Sequence, residues 1–228
     1  LSKHGAIQMR AILCKTYGLP GDLVLEDIAS PRPGPGELLV SVRAAGVNFP
    51  DVLMIQNKYQ YKPPLPFSPG YEIAGTVKEI GAGVSGVQID DAGIAMIRYG
   101  GFAEEAIVPA ERFWCIPRDM DFRTAAAFPL AYGTSYHALK DRGLLKPGET
   151  LMVLGAAGGV GLAALQGARI VGAGRIIAVD TAAWKFELAK ALGATHCVDA
   201  KAGDPVAAVQ ALTGGGADFV FECIGLVP

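Results

Sequence analysis

Leu151-Met152-Val153-Leu154-Gly155-Ala156-Ala157-Gly158-Gly159-Val160-Gly161 carries four apolar residues into a glycine-rich turn, and Leu162-Ala163-Ala164-Leu165 then predicts a helix. A strand that feeds a helix through glycines brings backbone close to an anion. Without Cβ atoms the backbone approaches a pyrophosphate closely, and the free N–H groups of the first helical turn face it along the positive end of the helix dipole. The same composition also serves ordinary tight packing of a strand on a helix, so its surroundings must decide.

C-terminal to the turn, helix and strand alternate. Residues 158–171 predict a helix, 175–179 a strand, 183–192 a helix, 195–198 a strand, 205–212 a helix and 217–222 a strand. Short connections between alternating elements predict a parallel, doubly wound sheet. Its second strand ends at Val179-Asp180, about twenty residues beyond the glycines, where an acid accepts hydrogen bonds from an adenosine ribose. Asp180 would also repel a 2′-phosphate, and it equally suits a cap on the next helix. Lys185, one turn further, fits a ribose contact or a solvated helix face. A flavin, S-adenosylmethionine or no ligand are the competing readings. The two linked features favour a nicotinamide dinucleotide, with Asp180 favouring NADH over NADPH.

N-terminal to the turn the pattern differs. Residues 9–13, 23–28, 37–47, 73–80, 94–97 and 103–108 read as strands, separated by Gly/Pro-rich turns. In 37–47, Leu38, Val40 and Val42 alternate with Leu39, Ser41 and Arg43. Asp51 to Gln56 predicts a short helix behind Pro50. Many short strands imply a barrel-like all-β module. Residues 122–128 and 130–142 predict helices joining it to the α/β part. The eight residues before Met9 read as an extension without a structural role.

The 228 residues are 51% hydrophobic and 18% charged, enough for a substantial core and unlike a disordered protein. A formal net charge of −2 leaves no electrostatic footprint for nucleic acid, and no apolar stretch spans a bilayer. With no signal core either, a cytoplasmic protein is the expectation. Cys14, Cys115, Cys197 and Cys223 show no metal-ligand spacing, and they read as reduced, mostly buried thiols.

Five motifs occur in order: Arg43-Ala44-Ala45-Gly46-Val47-Asn48-Phe49-Pro50-Asp51, Pro69-Gly70-Tyr71-Glu72-Ile73-Ala74-Gly75, Arg98-Tyr99-Gly100-Gly101-Phe102-Ala103-Glu104, Gly133-Thr134-Ser135-Tyr136-His137-Ala138-Leu139, and Gly155 to Gly161. Together they resemble the medium-chain dehydrogenase/reductase superfamily, and within it the zinc-free quinone oxidoreductase (zeta-crystallin-like) branch. From about Gly167 onward the sequence looks closer to the zinc alcohol dehydrogenases. The resemblance implies a GroES-like β-barrel catalytic domain over residues 1–125 and a Rossmann dinucleotide-binding domain over 126–228. Because the family's sheet continues past the last strand seen here, that domain is expected to be incomplete, with the sequence truncated at its C-terminal end. Leu226-Val227-Pro228 also matches the start of a common protease-cleavage linker.

The places where zinc-dependent relatives hold their catalytic metal correspond to Asn48, Tyr71 and Tyr132, none of them a good zinc ligand. The resemblance therefore implies metal-free hydride transfer from NADPH or NADH to a quinone or an α,β-unsaturated carbonyl. It places Asn48, Asp51, Tyr59 and Thr134 at the reacting end. Asn48 would orient the oxygen that gains charge, Asp51 would fix Asn48 or its helix, Tyr59 would line the substrate cavity and Thr134 would touch the nicotinamide. Gly155, Ala156, Ala157, Gly158, Gly159, Val160, Gly161, Asp180 and Lys185 would hold the dinucleotide. His137 reads as structural. Full-length members imply a homodimer, an expectation not extended to these 228 residues. Two alternatives stay open: a cofactor-binding protein without turnover, and an alcohol dehydrogenase acting on a CH–OH group. No nucleic-acid or membrane partner is expected.

Overall fold

The structure is a computed structural model that describes residues 8–225. Residues 1–7 of the leading extension and the closing Leu226-Val227-Pro228 lie outside the described residues. The protein divides into two compact units that meet in sequence at Pro129 and Leu130.

The first unit is antiparallel. Strands β1 (Gln8–Leu13) and β2 (Val24–Ala29) pair with each other. Strands β3 (Glu37–Gly46), β4 (Glu72–Ile80), β5 (Ala92–Met96), β6 (Glu105–Pro109) and β7 (Phe113–Cys115) form a second sheet in the order β6-β3-β4-β5-β7. Bridges Ala11↔Ala103 and Cys14↔Phe67 tie the hairpin to it, which gives the expected barrel-like module. Leu38, Val40, Ile73, Val77, Ala95, Val108 and Phe113 fill one side of the sheet. Helix α1 (Phe49–Ile55) follows β3, and α2 (Phe122–Ala126) packs Ala125 and Ala126 on the other side against Ala74 of β4.

Covering both faces changes the expected alternation in β3. Leu38, Leu39 and Val40 are all buried, and the register shifts between Leu39 and Val40 and again between Val42 and Ala44. Each shift re-aims the residues that follow, as bulges do.

The second unit begins with α3 (Pro129–Tyr136), whose Pro129 closes the first. The expected single helix over 130–142 instead widens into a π-helical segment from His137 to Arg142. Strands β8 (Thr150–Leu154), β9 (Arg175–Asp180), β10 (His196–Asp199) and β11 (Phe219–Glu222) make a wholly parallel sheet in the order β10-β9-β8-β11. Helix α4 (Gly159–Val171) and α5 (Phe186–Leu192, behind a short 3-10 turn) pack with Leu139 on Leu151, Val153, Ile176 and Ala178. Helix α6 (Pro205–Thr213) places Val209 with Ile177, Val179 and Val198 on the opposite face. Because helices cover both faces, β9 reads as a continuous apolar run, Ile176-Ile177-Ala178-Val179. No helix among the described residues is long and apolar enough to cross a membrane. The four cysteines are free, but only Cys14 is buried. Cys115 is exposed on the edge strand β7, and Cys197 and Cys223 are half-buried, which corrects the expectation of mostly buried thiols.

Candidate functional site

In the first unit, the end of β3 and the start of β4 assemble a polar group. Gly46 pairs with Glu72 across the two strands. A Cβ on Gly46 would stand 2.7 Å from Glu72 Cγ and 2.8 Å from its Cδ, so glycine is what lets the carboxylate lie against the strand. Glu72 is buried, and its Oε1 accepts a hydrogen bond from Asn48 Nδ2 at 2.7 Å. That bond identifies which end of the Asn48 amide faces Glu72 and leaves a second amide N–H free to donate elsewhere.

Asp51 sits one helical turn beyond, also buried. Its Oδ2 accepts the Asn48 backbone N–H at 2.9 Å and its Oδ1 the Gly70 N–H at 3.1 Å. The carboxylate thereby closes the first turn of α1 and joins it to the loop before β4. Burial raises the Asp51 carboxyl above its usual value, against backbone N–H groups of Asn48, Gly70 and Tyr71 that pull it down. Tyr59 packs beside the small core of Cys14, Met54, Ile55 and Phe67. Burial, with Tyr71 and Asp51 nearby, raises its phenol above the ordinary range, so Tyr59 stays protonated and can donate. Among the described residues no group of three His, Cys, Asp or Glu side chains is placed to hold a metal ion.

In the second unit, the glycine turn leaves β8 and enters α4 at Gly158, the N-cap. Gly155 and Ala156 donate backbone N–H to Val179 O, which seats the turn on the end of β9. Gly161 is where the turn and helix touch. A Cβ there would overlap Gly155 O and stand 2.7 Å from Ala156 Cα. Gly159 is the opposite case: it is exposed, and a Cβ there would meet nothing within 4 Å. The open space lies at the N-terminus of a 13-residue helix whose first amides have no intrahelical acceptor. Free backbone N–H groups at such a helix start are donors for an anion.

Asp180, at the end of β9, is half-buried and faces the turn. Its Oδ2 accepts Ala157 N–H at 2.8 Å and its Oδ1 accepts Ala182 N–H at 2.9 Å. It does not cap α5, whose N-cap is Lys185. Lys185 donates from Nζ to Ala157 O at 3.1 Å. Thr134 is exposed on α3. Its neighbour Ser135 is buried, with the hydroxyl 2.8 Å from Val160 O and 2.9 Å from Ala131 O. Tyr132 OH accepts from Gln166 Nε2 at 2.7 Å. These two contacts fasten α3 to α4, so the helix carrying Thr134 is registered against the glycine turn. His137 pairs with Asp141 at 2.9 Å on an exposed surface.

Two residues here escape sequence reasoning, Glu72 and Ser135. Both stand inside quoted motifs, and their signal is a polar residue on an otherwise apolar, buried stretch.

Comparison with known proteins bears on both units. The family described as the alcohol dehydrogenase GroES-like domain matches residues 34–118, and that described as zinc-binding dehydrogenase matches 159–228. A quinone oxidoreductase-like protein 2 of Bos taurus is 39% identical over 218 residues, covering 95% of the present sequence and 62% of the relative. The structure of a probable oxidoreductase from Mycobacterium abscessus superposes with a TM-score of 0.87 at 39% identity, over 95% of the present protein and 68% of the other. A mycobacterial protein solved in complex with NADPH gives 0.87 at 33% identity, over 96% and 67%. The 228 residues span about three fifths of the length of the curated quinone oxidoreductase-like relatives they match.

Proposed function

The protein belongs to the medium-chain dehydrogenase/reductase superfamily, in its zinc-free quinone oxidoreductase-like branch, and from that premise we propose that it binds a reduced nicotinamide dinucleotide and transfers hydride to a quinone or an α,β-unsaturated carbonyl. The observation that carries this reading is the open, Cβ-free space at Gly159, set at the start of α4 in a turn whose Ala157 N–H Asp180 accepts. The NADPH bound by the mycobacterial relative supports the cofactor class.

Bound at the glycine turn, the dinucleotide supplies the hydride. Gly159 to Gly161 would present backbone N–H groups to its pyrophosphate, the Gly158 N–H being donated to Gly155 O within the turn, and Thr134 would contact the nicotinamide end. Asn48 donates its second amide N–H to the substrate oxygen that gains charge, the work of an oxyanion hole. A donor fixed before reaction needs no reorganisation, and Glu72 and Asp51 hold Asn48 from its side chain and its backbone. Tyr59 lines the substrate space as a protonated phenol. A quinone that takes up hydride then needs one proton to become a hydroquinone, and solvent supplies it. The resemblance sets Asn48, Tyr71 and Tyr132 against the ligand positions of zinc-dependent relatives, and none of the three is a good zinc ligand, which supports an amide as the polarising group and a metal-independent reaction.

Asp180 makes NADH the preferred cofactor, because a carboxylate opposes a 2′-phosphate at the same place. Domain roles follow the two modules, catalytic for 1–125 and cofactor-binding for 126–228. Oxidation of NADH by a quinone, unchanged by a chelator, tests the reading. Alcohol-dependent reduction of NAD, or a rate that a chelator abolishes, would overturn it. For cofactor choice, Asp180→Ser should raise the ratio of NADPH to NADH affinity, and an unchanged ratio would remove Asp180 from that role.

A further inference from the structure

Ala157, in the middle of the glycine turn, is gripped from both sides. Its N–H goes to Asp180 Oδ2 at 2.8 Å and its carbonyl receives Lys185 Nζ at 3.1 Å. The second Asp180 oxygen takes Ala182 N–H, so one carboxylate spans the turn after β8 and the turn after β9. Lys185 is half-buried, and its ammonium also lies 5.0 Å from the centroid of the Trp184 ring. Trp184 is itself 81% exposed, so its ring is available to the lysine without being part of a core.

We propose that Asp180 and Lys185 form a clamp that sets the conformation of the phosphate-binding turn, and that Lys185 therefore supports NADH and NADPH equally instead of reading a 2′-phosphate. The proposal rests on the dinucleotide reading above. Its physical basis is how the charges are already engaged. A 2′-phosphate would draw Lys185 away from a carbonyl and an indole face, so its gain is offset by contacts it breaks. A carboxylate alone would pull Ala157 towards β9, whereas the lysine on Ala157's own carbonyl fixes the orientation of the peptides on both sides of Ala157. A turn held this way has its amides aimed before the ligand arrives, and preorganisation of that kind adds to affinity by removing an ordering cost. Asp180, placed to discriminate at the ribose, thus also governs binding at the pyrophosphate.

The test uses the full 228-residue protein with Lys185→Met and Asp180→Ala. NADH and NADPH are titrated in parallel, and hydrogen exchange at the Ala157 amide is followed without cofactor. In Lys185→Met both affinities should fall by the same factor, about tenfold for one charge-assisted hydrogen bond. Exchange at Ala157 should quicken in both variants. NADPH falling ten times further than NADH, or NADH binding unmoved, would overturn the clamp. If the folded wild-type protein binds neither dinucleotide, the dinucleotide reading fails while exchange still decides the clamp. Faster exchange at Ala157 upholds it, and an unchanged rate overturns it.

Discussion

Gly159→Ala should separate stability from binding. The built Cβ meets nothing within 4 Å, and the backbone of Gly159 is helical, so the folded state accepts the methyl group without strain. What remains is the lower conformational entropy of the unfolded state with alanine, which stabilises by about 0.4–1 kcal/mol. For a protein of this size that is a rise in Tm of about 1–4 °C. The same methyl group stands in the space assigned to the pyrophosphate. Losing one amide–phosphate hydrogen bond costs about 1.5–3 kcal/mol, or roughly ten- to a hundredfold in Kd. Gly161→Ala is the contrast. Its Cβ would overlap Gly155 O and stand 2.7 Å from Ala156 Cα, both backbone atoms that cannot swing aside, so stability should fall by about 1–3 kcal/mol. Calorimetric unfolding and titration with NADH read both quantities on each variant. A Gly159→Ala protein that is more stable and binds NADH as wild type does would refute the reasoning, because the open space would then not hold the phosphates.

Three further outcomes are expected. Asn48→Ala should lower kcat for quinone reduction about a hundredfold while leaving the Kd for NADH unchanged, since Asn48 serves the substrate oxygen alone; steady-state kinetics beside a cofactor titration measures both. The raised Asp51 carboxyl makes the folded state bind its proton more tightly than the unfolded state. Stability from this group is therefore present below its unfolded value of 3.8 and is lost as pH rises through the raised value. Urea unfolding across that window should show wild type losing stability with rising pH relative to Asp51→Asn, and parallel profiles would remove the effect. Ser135→Ala should cost about 1 kcal/mol by deleting the hydroxyl between Val160 O and Ala131 O, measured by urea unfolding.

The α/β half is legible in the sequence because its signals are local. Met152-Val153-Leu154, the glycines and the helical run after them lie within one window, and each following strand and helix repeats that logic. Strand β7 escapes that logic. Phe113-Trp114-Cys115 is too short to show a period and, among the described residues, pairs only with β5, so tertiary context creates it. Alternation assigns Leu39 to the open side of β3 because it assumes one wet face, yet Leu39 is buried with Leu38 and Val40 and the register shifts directly after it. The π-helical segment from His137 to Arg142, which buries Leu139 in the core of the second unit, is not encoded by helical periodicity. At the site, Asn48 and Asp51 are three residues apart and their partnership shows in sequence spacing. Glu72 is 24 residues from Asn48, and only the cross-strand pairing of Gly46 with Glu72 brings them together. Asp180 is found by its distance from the glycines, but its hold on Ala157 depends on how β9 and the turn after β8 lie side by side.

The central claim is that the turn from Gly155 to Gly161 is a nicotinamide dinucleotide site. Parallel calorimetric titration of the folded protein with NADH and NADPH tests it most directly. The account expects saturable one-to-one binding of both, with NADH the tighter. Absence of binding by either, in protein shown to be folded, would contradict it.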